Sequence, residues 1–457
     1  MTDHLAVTRA AAERLAALVP GGAHTYAKGP DQYPVTAPGV LRSGRGCRVW
    51  DLDDNEYIEY GMGLRSVGLG HAHPEVVEAV RRSLELGTNF TRPAVVELEC
   101  AERLLSLVPG ADMVKFTKDG SSATTAAVKL ARAHTGRDLV GICVDHPFFS
   151  YDDWFIGTTT MDGGIPPAAS ELTIGFNYND LPSVRDMFDR FPDRIAVVML
   201  EGVRAEAPEQ GFLEGLRELC TRHGTVLVFD EMIAGFRYDI AGAQGLYEVR
   251  PDLSTWGKAL ANGFSVSALC GSRDLMRLGS RERDGDDVFL LSTTHGAEVC
   301  ALAAAIATME IYQREPVVEH LHRQGARLAD GLRKVAARHG VGDHVSPLGF
   351  PCNLVFTAAD REGNPSQAFR TLLLQELVDR GVLAPSLVVS YSHGDADIDR
   401  TLDAFDGALA VYARALDGGI DQFLRGRPSR VVMDHRPIGV HAALGGSIEP
   451  ERRAGDR

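Results

Sequence analysis

An apolar run, Val226-Leu227-Val228-Phe229, ends in two acids, Asp230 and Glu231. Further on, Lys258 lies within Ser254-Thr255-Trp256-Gly257-Lys258-Ala259-Leu260-Ala261-Asn262-Gly263, hemmed in by glycine and small residues. A carboxylate at the C-terminal end of a buried parallel strand sits where ligands bind in open α/β sheets. A lysine in so crowded a setting has no solvated face for its ammonium. One chemistry uses both groups: a Schiff base between the lysine and pyridoxal phosphate, with the acid keeping the pyridine nitrogen protonated. The charged ring then acts as an electron sink for a carbanion. Taken singly, each residue has a plainer use, the acid closing a strand-end turn and the lysine opening a helix.

A phosphate needs a cradle. Phe116-Thr117-Lys118-Asp119-Gly120-Ser121-Ser122 runs from a short strand through a glycine into a long helix. Free N–H groups and two hydroxyls at a helix start favour an anion, although the same pattern also describes a plain serine N-cap. Lys118 is a rival for the Schiff base, but it precedes the glycine turn and better suits charge balance beside the phosphate. Pro147-Phe148-Phe149 offers an aromatic ring to stack on a planar cofactor, or to pack in the core.

The elements that must hold these groups follow an alternating rhythm. Apolar strands are predicted at 113–116, 139–144, 195–200 and 225–229, with helices at 74–86, 94–107, 121–134 and 211–223. Short apolar runs alternating with longer helices indicate a parallel sheet covered on both faces. Before it come a helix over 5–18 and a hairpin over 48–60 that turns at Asp53-Asp54-Asn55. After it, helices at 299–313, 316–339, 366–380 and 396–415, with strands at 353–357 and 387–392, form an α+β appendage. The expected division is an N-terminal segment 1–70 contributing to the small domain, a large domain 71–315 and a small domain 316–424. A basic tail, 425–457, is expected to be partly disordered.

Composition narrows the partners. The 457 residues carry 47 basic and 62 acidic side chains, a net charge of −15, which disfavours nucleic acid and anionic membranes. Seven scattered cysteines without a C-x-x-C pair read as reduced, mostly buried thiols, and no metal site is expected. No secretory signal and no membrane-spanning run are evident, so a cytoplasmic protein is expected. Only six of the 47 basic residues are lysines, which sharpens the interest of Lys258.

The chain resembles class III aminotransferases of fold type I, and most closely their glutamate-1-semialdehyde 2,1-aminomutase-like branch. The likeness runs from about Pro20 to Leu416. It is carried by Gly68-Leu69-Gly70-His71-Ala72-His73-Pro74, the glycine-serine helix start, Thr135-Gly136-Arg137-Asp138, Asn177-Tyr178-Asn179-Asp180, Phe229-Asp230-Glu231 with Gly235-Phe236-Arg237, and Gly257-Lys258. The resemblance implies a mostly parallel large-domain sheet with helices on both faces, plus a smaller α+β domain. It gives Lys258 the cofactor linkage and the proton shuttle, and Asp230 the ring nitrogen. Gly120, Ser121 and Ser122 would bind phosphate, Phe148 would stack on the ring and Glu201 would lie near the cofactor oxygen. Thr293 would reach the phosphate of the neighbouring subunit, so a homodimer with interfacial sites is implied.

Departures from the branch bear on substrate. The aminomutases bind their substrate carboxylate through an arginine of the N-terminal segment, but here no arginine lies between Arg14 and Arg42. Arg65 and Arg204 appear where the branch pattern has none, and each is a candidate replacement. The leading expectation is an aminotransferase moving an amino group from an amino acid, glutamate or similar, to a carbonyl acceptor. The alternative is an isomerase, either an aminomutase or an amino acid racemase or epimerase, which uses the same carbanion. A non-catalytic binding protein on this fold is disfavoured by the presence of Lys258. Sugar, polyketide-aldehyde and modified amino acid acceptors all fit.

Overall fold

The structure, a computed structural model, describes residues 5–146, 148–281 and 288–432. The strands are β1 (Leu41–Arg45), β2 (Arg48–Asp51), β3 (Glu56–Glu59), β4 (Met113–Thr117), β5 (Leu139–Cys143), β6 (Thr173–Phe176), β7 (Ile195–Leu200), β8 (Val226–Asp230), β9 (Leu253–Trp256), β10 (Ser267–Gly271), β11 (Pro347–Leu348), β12 (Val355–Phe356) and β13 (Val382–Leu383). Seven of them form the central sheet in the order β4-β10-β9-β8-β7-β5-β6. Only β10 runs antiparallel to its neighbours.

Of the four apolar strands read from the sequence, β5, β7 and β8 are buried on both sides, while β4 is only partly covered. Val197 and Met199 of β7, with Val226 and Val228 of β8, join one core cluster. Val198, Leu200, Leu227 and Phe229 join the cluster on the opposite face. Alternation of successive side chains across a strand requires this division, and continuous apolarity supplies both faces. The helix Gly120–Thr135 covers the first face with Ala126, Ala127, Val128, Leu130 and Ala131. Asp119 caps its start and Gly136, left-handed at φ 66°, ends it.

Six strands escaped the sequence reading: β1, β6, β9, β10, β11 and β13. All are short, and β10 is bounded by Ser267 and Gly271, residues that mark turns more often than strands. The expected strand 387–392 does not form. Leu387, Val388 and Val389 are fully buried, but their segment bonds in turn to Leu354, Tyr60 and Gly68 rather than to one partner strand. The expected strand 353–357 shrinks to β12, because Pro351 opens a 3-10 turn through Asn353. Instead, β13 pairs in parallel with β3 and completes a four-stranded sheet with the N-terminal hairpin. The basic tail beyond residue 432 lies outside the described residues. All seven cysteines are free and buried.

Candidate active site

The C-terminal edge of the parallel strands gathers the predicted groups. Asp230, the last residue of β8, is 4% exposed. Its Oδ1 accepts from the Met232 N–H and the Thr255 hydroxyl, each at 3.0 Å. Oδ2 has no hydrogen-bond partner among the described residues, so one carboxylate oxygen is fixed and the other is open. Burial pushes the Asp230 carboxyl up, and the charge of Lys258 opposes that push.

Lys258 follows Gly257 at the end of β9 and holds a left-handed φ of 44°. Gly257 allows the close approach here: a Cβ would lie 2.5 Å from Ser267 Oγ and 2.6 Å from Met232 Sδ, so a larger residue must displace these side chains. Burial lowers the Lys258 ammonium, countered by Asp230 and Glu201, while Arg65 adds to the lowering. Its amine has no hydrogen-bond partner among the described residues, the condition a nucleophilic lysine needs. The rival, Lys118, is engaged instead with Glu298 and the Ser265 carbonyl, both at 3.0 Å.

Glu201 follows β7 and is 7% exposed. Burial, reinforced by Asp230, raises its carboxyl to about 7. Its N–H donates to His146 Nδ1 at 2.9 Å. That bond leaves the buried neutral imidazole its proton on Nε2, and Nε2 has no partner. Nothing in the residue pattern singled out this histidine.

At the helix start, the backbone N–H groups of Gly120 and Ser121 have no acceptor among the described residues. The Ser121 hydroxyl oxygen accepts from the Tyr151 N–H at 3.0 Å and keeps its own proton to donate. Ser122 differs from expectation, because Asp119 takes its N–H at 2.8 Å and its hydroxyl at 3.0 Å. N-capping occupies both donors of Ser122. Phe148 is half exposed, with its ring 5.7 Å from Phe155 in an edge contact, whereas Phe149 is buried in the core. Thr293 is exposed.

Arg65 reaches the same place. It is electrostatically coupled to both Lys258 and Glu201. Its Nε donates to Asn353 Oδ1 at 2.7 Å, while its two terminal nitrogens have no acceptor among the described residues. Arg204 also lowers the Glu201 carboxyl electrostatically and donates through one nitrogen to the Asp145 carbonyl. Asn262, left-handed at φ 45°, closes the short turn that begins at Lys258 and ties it to the Leu69-Gly70 segment. Its side chain accepts from the Leu69 N–H and donates to the Gly70 carbonyl, at 2.9 and 3.0 Å.

A helix start with open N–H groups, a buried acid with one free oxygen and an unpaired buried amine fit the phosphate, ring nitrogen and aldehyde of pyridoxal phosphate. The fold and these groups define a fold-type-I, pyridoxal-phosphate-dependent enzyme. The chain belongs to the class III aminotransferase family, whose sequence model matches residues 31–409. It is 35% identical to glutamate-1-semialdehyde 2,1-aminomutase of Nitrosospira multiformis over 87% of this chain and 96% of that one. Its fold matches the pyridoxal phosphate internal aldimine form of the FumI protein of Sphingopyxis sp. MTA144 with a TM-score of 0.83. That pair is 28% identical, over 93% of this chain and 99% of the other. An omega-transaminase from Sphaerobacter thermophilus is 26% identical with a TM-score of 0.77, over 89% and 98% of the two chains. No helix among the described residues is long and apolar enough to cross a membrane.

Two expected results follow from this geometry. Ser121→Ala loosens cofactor retention about tenfold or more, the size of a hydrogen bond to a charged group, while Ser122→Ala changes it less than about threefold. Loss of visible absorbance on dialysis measures both. The second concerns Glu201, whose folded carboxyl ionises near 7 against an ordinary 4.5. Between those values the folded apo-protein holds a proton that the unfolded chain has released. The stability contributed by that proton is present at low pH and lost as pH rises through 7, about 3 kcal/mol in all. Urea unfolding of the apo-protein at pH 5 and pH 8 checks this. Glu201→Gln loses less stability between the two than the unmodified protein, and equal losses contradict the assignment.

Proposed function

We propose that the protein is an aminotransferase that takes an amino group from an amino acid donor, glutamate or similar, and delivers it to a carbonyl acceptor. The observation that carries this reading is the Arg65 guanidinium, unpaired at its terminal nitrogens and coupled to Lys258 and Glu201. It offers a carboxylate a bidentate partner in a chain whose N-terminal segment has no arginine between Arg14 and Arg42. Bound pyridoxal phosphate supplies the electron sink for a carbanion. Gly120 and Ser121 would hold its phosphate, Asp230 would face the ring nitrogen, Phe148 would offer a ring face and Glu201 would serve the ring oxygen. Lys258 would link the cofactor, and its Nζ would be the base that takes and carries the substrate proton. Arg204 is the second cation available to an acidic substrate.

The test is L-glutamate alone. An aminotransferase releases one equivalent of 2-oxoglutarate per site, bleaches and stalls until a carbonyl acceptor is added. The relatives named glutamate-1-semialdehyde 2,1-aminomutase favour a second reading, an isomerase of aminomutase or racemase and epimerase type. Sustained turnover of glutamate-1-semialdehyde with no keto acid added would establish that reading and overturn the first.

The working unit in this proposal is a homodimer, with Thr293 reaching the neighbouring subunit's phosphate. The Thr293 loop is tied to the segment after Leu86 through Asn89 to the Thr294 carbonyl at 3.2 Å and Val299 to the Thr88 carbonyl at 3.0 Å. Leu84, Leu86, Phe90, Val95, Leu98 and Phe289 are exposed there and nearby in sequence, the kind of apolar surface that subunit contacts cover. Sedimentation equilibrium of the holoprotein is expected to give twice the 49.4 kDa chain mass. The division at residues 70, 315 and 424 belongs to the same proposal, supported at one point by the β3–β13 pairing.

A further inference from the structure

Arg65 sits on an unusual turn. Met62, Gly63, Leu64 and Arg65 all have left-handed φ, at 43, 58, 58 and 73°. Three of the four are not glycine, and each costs of order 1–2 kcal/mol in that region. The turn is held by Arg65 N–H to the Gly61 carbonyl and Val67 N–H to the Met62 carbonyl, both at 3.0 Å, and by Ser66 Oγ to the Gly63 carbonyl at 2.7 Å. The fully buried Arg237 donates to the Arg65 carbonyl at 3.4 Å and to the carbonyls of Cys352 and Val389 at 3.0 Å. One guanidinium thereby fixes the main chain of Arg65 and of the residue before Asn353.

Asn353 completes the arrangement. Its Oδ1 accepts from Arg65 Nε at 2.7 Å, and its Nδ2 donates to Tyr238 Oη at 2.9 Å. Tyr238 Oη then donates to the Arg204 carbonyl at 2.9 Å. An arginine only donates, so the orientation of the Asn353 amide is set by the contact itself. Asn353 is 8% and Tyr238 2% exposed. The chemistry of the acceptor matters: among the described residues, Arg65, Arg204 and Arg237 have no carboxylate within 4.0 Å, in contrast to Arg48 with Asp397 or Arg217 with Asp252. A neutral amide orients Arg65 through Nε and leaves its charge and its two terminal nitrogens for a ligand.

We propose that Asn353 is a positioning and specificity-determining residue that aims the undiminished charge of Arg65 at a substrate carboxylate and, through Tyr238, fixes its place relative to the Arg204 loop. This rests on the reading of Arg65 as the carboxylate site. Glutarate is the probe, titrated into the holoenzyme and read from the cofactor absorption band, with thermal melting recorded for each variant. Asn353→Ala is expected to weaken glutarate about tenfold with melting little changed. Asn353→Asp keeps the size and the accepting atom but sets a carboxylate against Arg65, so it weakens glutarate further than alanine does. A merely structural amide predicts the reverse, and an Asn353→Asp protein that binds glutarate as the unmodified one does overturns the inference. Arg65→Ala separates the two claims. If it leaves glutarate binding unchanged, the Arg65 reading fails. If it weakens glutarate while both Asn353 variants do not, only the role of Asn353 fails.

Discussion

Lys258→Ala is expected to abolish amino-group transfer, with a loss of at least about 10⁴-fold, while the protein still folds and still takes up cofactor. Two functions end together: the covalent link and the proton carrier, the latter alone contributing about 10²–10⁴ in general acid–base catalysis. Cofactor uptake persists because the open N–H groups of Gly120 and Ser121 and the free oxygen of Asp230 do not depend on the amine. Folding persists because Lys258 makes no hydrogen bond among the described residues and its burial disfavours the charged form. Lys258→Arg does not rescue, since a guanidinium stays protonated and is no nucleophile. The checks are absorbance of the lysine-linked cofactor, cofactor stoichiometry by mass analysis and the yield of 2-oxoglutarate from L-glutamate. Turnover within tenfold of the unmodified enzyme would displace Lys258 from its role.

Asp230 stood out because parallel strands buried on both faces read as unbroken apolar runs and an acid ends this one, whereas Glu201 came only from the family resemblance. Lys258 was legible through the scarcity of lysine and the small residues around it. Ser122 shows a competition that the sequence pattern does not resolve. The sequence offers its hydroxyl to a phosphate, but the adjacent Asp119 caps the helix and takes it. A local competition between two short side chains has no periodic signature. Asn353 was invisible for another reason, being 288 residues from Arg65 in sequence, in a segment whose strand pattern was itself misread. Buried apolar residues at 387–389 satisfied the pattern of a strand without a neighbour to pair with. Gly235-Phe236-Arg237 did carry the family resemblance, yet nothing in its spacing tells that the arginine points at main-chain carbonyls of three distant segments.

Asp230→Asn separates charge from shape. Asparagine can still accept from Thr255 and Met232 through its side-chain oxygen, so the local bonds survive. What disappears is the negative charge facing the cofactor's ring nitrogen. Breaking a buried ion pair by removing one partner costs about 3–5 kcal/mol, which at 1.36 kcal/mol per decade is roughly 10²–10³-fold or more in rate. The apo-protein responds with the opposite sign. There the Asp230 carboxyl is raised by burial, so above its unfolded value the folded state is penalised for holding the charge, increasingly so as pH rises. Removing the carboxylate lifts that penalty, and the burial that lowers the Lys258 ammonium eases the loss of its negative neighbour. The expected pair of results is therefore a holoenzyme slowed by two to three orders of magnitude and an apo-protein at pH 8 no less stable than the unmodified one. A variant that loses apo stability in step with activity would make Asp230 a structural strand-end acid, and the ring-nitrogen assignment would fall with it.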